Sequence, residues 1–247
     1  MEPRPEKFLL SLMALSRTTI QQPDILEAMN ALDGELLGVS YRHACKLPPA
    51  VFTDAFSDGQ TRSKLWALSI MEKLWGPDLG TVFVAAGWVC QLAFFMARHP
   101  RLRVHKVRSF DICREATSMA DDLNRQWVID SWRFKAVCKD IFELDMWEPS
   151  YEVTNFKGEQ VILNGEYPDL VINTACEHIQ DFGKWWGTVP VGLRCVLQSN
   201  DFFSQAHHVN CMRDLEEFKA SAPMRKVLFA GELPLPKYKR FMICGIR

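Results

Sequence analysis

The chain has 247 residues, 29 basic against 30 acidic side chains for a net charge of −1, and 48% hydrophobic residues including 8 Trp and 16 Phe. So apolar a composition excludes a disordered or solvating chain, and the scattered basic residues leave no electrostatic footprint for a nucleic-acid partner. Without a Pro/Gly/Ser-rich linker, the chain reads as an N-terminal helical lid over residues 1–79 joined to a core over residues 80–247.

In chain order, Asp24 is placed to cap a helix over residues 25–37, with apolar positions 25, 26, 29, 32 and 36 on one side. A second helix is expected over 61–75, its broad apolar set suited to burial against a sheet and stopped by Gly76 and Pro77. From Thr81 the pattern changes to short β-type runs alternating with helical stretches, which implies parallel strands with crossover helices. Strands are expected over 81–85, 103–110 ending at Asp111, 133–139 ending at Asp140, 170–173 and 194–198, with helices over 92–98 and 114–124. Two further strands, 226–231 and 240–246, stand so close together that they form a hairpin. The apolar run 81–97 falls short of the about 20 residues of a bilayer span. Gly87 and Gln91 interrupt it, so strand, turn and helix in succession are expected, with no membrane partner.

The eight cysteines include no CxxC pair and no Cys/His cluster at zinc-ligand spacing, and they read as small buried apolar residues of a reducing, cytoplasmic compartment. His207 and His208 stand near Cys211 with no partner cluster at ligand spacing, so no metal is expected. Residues 1–7, rich in acid and proline, do not read as a secretory leader. No P-loop or GxSxG elbow occurs, and the first strand is not followed by the GxGxxG of a nicotinamide-binding module.

In an open α/β sheet, ligands bind at the carboxyl ends of the strands near the point where strand order reverses. After the first strand come Ala86, Gly87 and Trp88, a sharp turn at which the missing Cβ of Gly87 admits a ligand. Asp111 ends the second strand 24 residues after Gly87, close to the spacing at which nucleotide-binding folds set a carboxylate on ribose hydroxyls. Asp140 ends the third strand, and Asn173 the fourth.

These strand ends, with the run DLVINTACEHI at 169–179, resemble the fourth-strand stretch, opening on Asp-x-Val and closing on Glu-His, of small-molecule class I S-adenosylmethionine-dependent methyltransferases, over residues 80–247. The resemblance implies a Rossmann-like α/β sandwich whose mostly parallel seven-stranded sheet ends on an antiparallel strand. It implies S-adenosylmethionine as cofactor, held by Ala86, Gly87 and Trp88, by Asp111 with Ile112, by Asp140 with Ile141, and by Asn173. Glu177 and His178 then anchor the loop and the helix after it. The departure is the first loop, which has one glycine where the family pattern E/DxGxGxG has three.

GQTRSKLW at 59–66, NTACEHI at 173–179, LQSNDFF at 197–203, HVNC at 208–211 and DLEEF at 214–218 are similar to a divergent bacterial group that includes the azetidine-2-carboxylate synthases. That resemblance implies that S-adenosylmethionine is the sole substrate, its α-amine closing on its own γ-carbon with release of methylthioadenosine. Asn173, Ser199 and Tyr41 then orient the amine, and Lys64 holds the carboxylate. Tyr41, Trp66, Trp88, Trp132, Phe134 and Phe202 form the pool of aromatic faces for the sulfonium. Two other readings fit the same cofactor residues: methyl transfer to a small metabolite, and a catalytically idle cofactor-binding protein.

Overall fold

The computed structural model describes Asp24, residues 46–155 and residues 157–247. The helix expected over 25–37, the body of the expected lid and Tyr41 lie outside the described residues. Helix α1 (Pro49–Ala55) leads into α2 (Asp58–Trp75). α2 starts earlier than its apolar pattern because the Ser57 side chain caps it, accepting from the Gln60 amide, and Gly76 at φ 71° ends it. Residues 61 through 71 of α2 are buried without a break, so this helix packs as part of the core.

The sheet strands are β1 (Asp78–Ala85), β2 (Arg103–Asp111), β3 (Phe134–Cys138), β6 (Leu170–Asn173), β7 (Arg194–Asn200), β8 (Lys226–Pro234) and β9 (Lys239–Ile246). Between β3 and β6 a separate antiparallel hairpin, β4 (Ser150–Thr154) with β5 (Gln160–Asn164), interrupts the alternation. The seven-stranded sheet runs in the order β3-β2-β1-β6-β7-β9-β8. β1 pairs in parallel with β2 and β6, and β9 inserts antiparallel between β7 and β8. The last strand is thus the antiparallel one, as expected, and the order reverses between β1 and β6.

Helices cover both faces, and the two-residue period of the strands sorts the core. Val82 and Val84 join α2, α3 (Gln91–Met96), α4 (Arg114–Leu123) and α5 (Arg125–Ile129) in one apolar cluster. Phe83 and Ala85 face the other cluster, with α6 (Phe182–Thr188), α7 (Leu215–Ser221) and the β4–β5 hairpin. The hairpin is pinned through Tyr151, whose hydroxyl donates to the same Glu166 carboxylate that pairs with buried Arg108 on β2.

Residues 81–97 form the end of β1, a loop and α3, and among the described residues no helix is long and apolar enough to cross a membrane. Cys90, Cys176, Cys195 and Cys244 are buried, as expected. Cys113 and Cys138 are not: Cys113 lies two residues past β2, Cys138 is the last residue of β3, and both are exposed.

Candidate functional site

The reversal of strand order between β1 and β6 opens a cleft at the carboxyl ends of the strands. Its hinge is the loop after β1. Ala86, Trp88 and Cys90 have φ of 52°, 49° and 47°, alternate left-handed residues in a loop whose one glycine is Gly87. Each left-handed non-glycine residue costs roughly 1–2 kcal/mol and persists only where its surroundings enforce it. Here the Gly87 amide donates to the Phe110 carbonyl (3.0 Å), the Cys90 amide to the Gly87 carbonyl (2.8 Å), and the Trp88 amide to Asp111 Oδ2 (2.8 Å). The alternation supplies the backbone path that three glycines make cheap, with hydrogen bonds in their place.

Gly87 itself has a steric reason to be glycine. A Cβ there would come within 2.0 Å of Ser109 Oγ on β2, so the loop lies flat on its neighbouring strand. Asp111 therefore works in two directions. Oδ2 holds the β1 loop and Oδ1 accepts from the Cys113 amide at 2.9 Å, while each oxygen keeps a lone pair for a ligand.

Two recesses meet at Ala86, Asp111 and His178. One, of about 280 Å³, lies past β2 and β3 and is walled by Ile112, Asp140, Ile141, Phe142 and Ile179. Ile112 is 71% exposed there, a large apolar side chain beside a slot. Asp140 Oδ1 accepts from the Phe142 amide, a turn that fixes the slot's edge. The other recess, of about 300 Å³, lies under α2 and is lined by Asp54, Gln60, Lys64, Gln91, Thr174 and Glu177, with Trp88 on its wall.

Lys64 dominates the α2 recess. It is 7% exposed, and its Nζ donates to Gln60 Oε1 one turn earlier at 2.7 Å. Burial, with the Arg240 charge adding to it, pulls the ammonium down to about 7, and the nearby Glu177 carboxylate opposes that shift in part. Glu177, 2% exposed, accepts on Oε1 from Asn200 Nδ2 (2.7 Å) and from an Arg240 guanidinium nitrogen (2.6 Å). Gln91 donates from Nε2 to Thr61 Oγ1, and its buried Oε1 has no partner among the described residues.

Of the residues picked out in the sequence, Lys64, Ala86, Gly87, Trp88, Asp111, Ile112, Asp140 and Ile141 all line the cleft. Asn173 and Ser199 are fully buried and line neither recess. The pleat explains this: Asn173 follows Val171, and Ser199 follows Leu197, on the face packed against α6 and α7 rather than the face under α2. Asn173 instead accepts the Ala175 amide on Oδ1 and so shapes the floor. Of the described members of that aromatic pool, Trp88 alone lines the cleft; Phe134 is core, Trp66 packs edge-on against Phe229, Phe202 stacks on Tyr238, and Trp132 borders a groove beside α4. Gln60, Gln91 and Glu177 were missed as lining residues. The available signal was a polar residue inside an apolar stretch, as Gln91 is.

Neither a protein-family model nor a curated protein matches the chain. Solved structures do resemble it. The magnesium protoporphyrin IX methyltransferase of Synechocystis PCC 6803 with bound SAM is similar at TM-score 0.54 and 12% identity, over 85% of this chain and 90% of that one. The N-methyltransferase NodS of Bradyrhizobium japonicum WM9, in complex with S-adenosyl-L-homocysteine, is similar at TM-score 0.56 and 10% identity, over 85% and 96%. A SAM-dependent methyltransferase of Leishmania major is similar at TM-score 0.56 and 8% identity, over 87% and 85%. At these identities the likeness establishes the fold, that of the class I methyltransferases.

Proposed function

We propose that the cleft holds S-adenosylmethionine and that the protein is an enzyme acting on a small molecule. The observation that carries this is Asp111: a carboxylate at the end of β2, tied to the left-handed loop after β1, stands where the two recesses meet. In this reading Asp111 accepts from the ribose hydroxyls, charge-assisted bonds that are among the strong ones. The adenine enters the slot between Ile112 and Ile141, with Asp140 at its edge, and covers the exposed Ile112 side chain. The aminocarboxypropyl arm runs under α2, its sulfonium beside Trp88 and its carboxylate on Lys64. That likenesses of this fold were solved with SAM or S-adenosyl-L-homocysteine bound supports the choice of cofactor.

For the reaction we place intramolecular cyclisation first. The nitrogen of the α-amine bonds to the γ-carbon, the γ-carbon–sulfur bond breaks, its electron pair leaves on sulfur as methylthioadenosine, and the amine proton passes to a base or to water. The product is azetidine-2-carboxylate. This reading draws support from Gln91 on the wall of the recess, whose buried Oε1 has no partner among the described residues and can orient the amine. Asn173 acts indirectly, through the Ala175 amide, and Tyr41 remains a candidate from the lid. The second reading, methyl transfer to a small metabolite, is favoured by the activity named for the structural neighbours.

Purified protein with S-adenosylmethionine as sole substrate should yield azetidine-2-carboxylate and methylthioadenosine in equal amounts by mass spectrometry, above the spontaneous background. Adenosylhomocysteine formed only when a metabolite extract is added establishes methyl transfer instead. Cofactor binding by calorimetry with neither product leaves a cofactor-binding protein without catalysis.

A further inference from the structure

At the rim of the α2 recess the turn Cys176–His178 and the loop 207–211 are latched together. The Val209 and Asn210 amides both donate to the Glu177 carbonyl at 2.9 Å, and Asn210 Nδ2 donates to the Cys176 carbonyl at 3.1 Å. This brings together Glu177, His178 and His208, one ligand-type atom of each lying within 4.8 Å of the others. We propose that these three side chains hold one divalent transition-metal ion of the zinc class. The expectation of no metal rested on spacing along the chain, and the fold supplies the missing partners from a turn 30 residues away.

The chemistry of the three groups is prepared for this. Glu177 Oε1 is held by Asn200 and Arg240, the kind of outer support that orients a ligating carboxylate. Its other oxygen, Oε2, is buried and has no partner among the described residues, a costly state for a carboxylate unless something completes it. His178 Nδ1 donates to the His207 carbonyl at 2.9 Å, which fixes that nitrogen as the protonated one and leaves the Nε2 lone pair free. The His178 and His208 rings stand edge to face, their centroids 4.7 Å apart. Bonds of about 2.0–2.2 Å to nitrogen and oxygen put the ligands of one ion about 3–4 Å apart, so side-chain rotation of about an ångström closes the site.

Two imidazoles and one carboxylate select among metals. Magnesium and calcium demand shells of oxygen ligands, which a lone carboxylate does not offer, whereas imidazole suits zinc and its neighbours in the first transition row. Arg240 and Lys64 are cations close to Glu177, and they oppose a further positive charge. An anion at the open coordination position, such as the carboxylate of a bound small molecule, offsets them. Glu177 and His178 also line the cleft, so that position faces the space assigned to substrate.

The test is made on chelator-treated protein without S-adenosylmethionine, so that it stands apart from the cofactor reading. Calorimetric titration with ZnCl₂ should show one ion per chain, and Co²⁺ should develop a visible ligand-field spectrum. His178→Ala and His208→Ala should each weaken zinc binding by about ten-fold or more and remove the cobalt bands, with circular dichroism unchanged. His105→Ala, an exposed histidine beside Asp78 at the far end of β1, should leave binding as it was. Absence of uptake, or affinity indifferent to both His178→Ala and His208→Ala, overturns the proposal and leaves Glu177 as the anchor of Asn200 and Arg240.

Discussion

The two recesses of the cleft are built in different ways. Past β2 and β3 most lining groups stand at or just after the point where a strand stops, Asp111 and Ile112 at the end of β2 and Asp140, Ile141 and Phe142 after β3, and only residues 178–180 come from the turn beyond β6. Under α2 the lining comes from separated pieces of chain, Asp54 from α1, Gln60 and Lys64 from α2, Gln91 from α3 and Glu177 from the turn after β6. The first recess follows from the sheet and needs little beyond it. The second depends on how helices pack over the strand ends, and it holds the buried charges. On the proposed reading, the sheet-built recess would take the cofactor's adenosine portion and the helix-built recess its arm, so the choice of reaction would rest with the helices.

The largest expected effect strikes the hinge that serves both recesses. Gly87→Val drives a side chain into Ser109, lifts the loop off β2 and should remove cofactor binding altogether, with a stability loss of about 1–3 kcal/mol from overpacking. Adding Ser109→Gly to the milder Gly87→Ala should recover part of the affinity in calorimetry. No recovery would mean that the glycine serves the ligand directly rather than the contact with β2.

Next in size is the sheet-built recess. Asp111→Ala removes the proposed ribose acceptor together with the tie to the Trp88 amide, and should cost about 1.5–3 kcal/mol of cofactor affinity, near the range for hydrogen bonds to charged groups. Asp111→Asn keeps an acceptor for Trp88 and should lose less. Equal losses for the two substitutions would place the whole effect on charge and none on the loop.

The helix-built recess should respond to pH through Lys64. Because the folded chain holds Lys64 at about 7 against an ordinary 10.5, protonation is disfavoured by folding. Wild-type stability should rise with pH between about 7 and 10.5, by at most about 1.4 kcal/mol per pH unit, and be indifferent to this group below 7. Lys64→Met should abolish that rise in denaturant titrations. For the cofactor, the protonated amine is the form that holds a carboxylate. The advantage of wild type over Lys64→Met, about ten-fold at pH 6 for one charge-assisted bond, should therefore shrink as pH climbs above 7. A ratio constant with pH would remove Lys64 from the arm.

Legibility in the sequence follows the same division. Strand β6 has the expected bounds 170–173, and β1, β7 and β8 run longer because hydrogen-bonded pairing continues past their apolar stretches. The β4–β5 hairpin went unread although SYEVT alternates in burial and Gly158 at φ 82° turns the chain, since its apolar side chains are few. α7 also went unread, yet Asp214 caps it by accepting the Glu217 amide, a signal present in DLEEF. At the site, strand ends bring Asp111 and Asp140 to the wall of the cleft and leave Asn173 and Ser199 off both recesses, because a strand end says where a residue stops along the sheet, while the pleat decides the face on which it emerges. Glu177 and His208 meet only through the turn and loop that the folded chain brings together.

The smallest effect tests whether the β1 loop owes its order to residue type or to its hydrogen bonds. Ala86 sits at φ 52°, where a glycine is relieved of roughly 1–2 kcal/mol of steric cost. Glycine also has more freedom to lose on folding, about 0.4–1 kcal/mol. Ala86→Gly should therefore stabilise the protein by between about 0 and about 1.6 kcal/mol in thermal or denaturant melts. If the Trp88–Asp111 and Gly87–Phe110 bonds hold the path, the loop keeps its shape in the variant, and cofactor affinity should stay within about two-fold of wild type. A ten-fold loss with intact stability would show instead that the Ala86 methyl group touches the ligand, or that stiffness at 86 keeps the loop ready to bind. Either result would show that the hinge shared by the two recesses depends on residue type, as the helix-built recess does, and not on backbone hydrogen bonds alone.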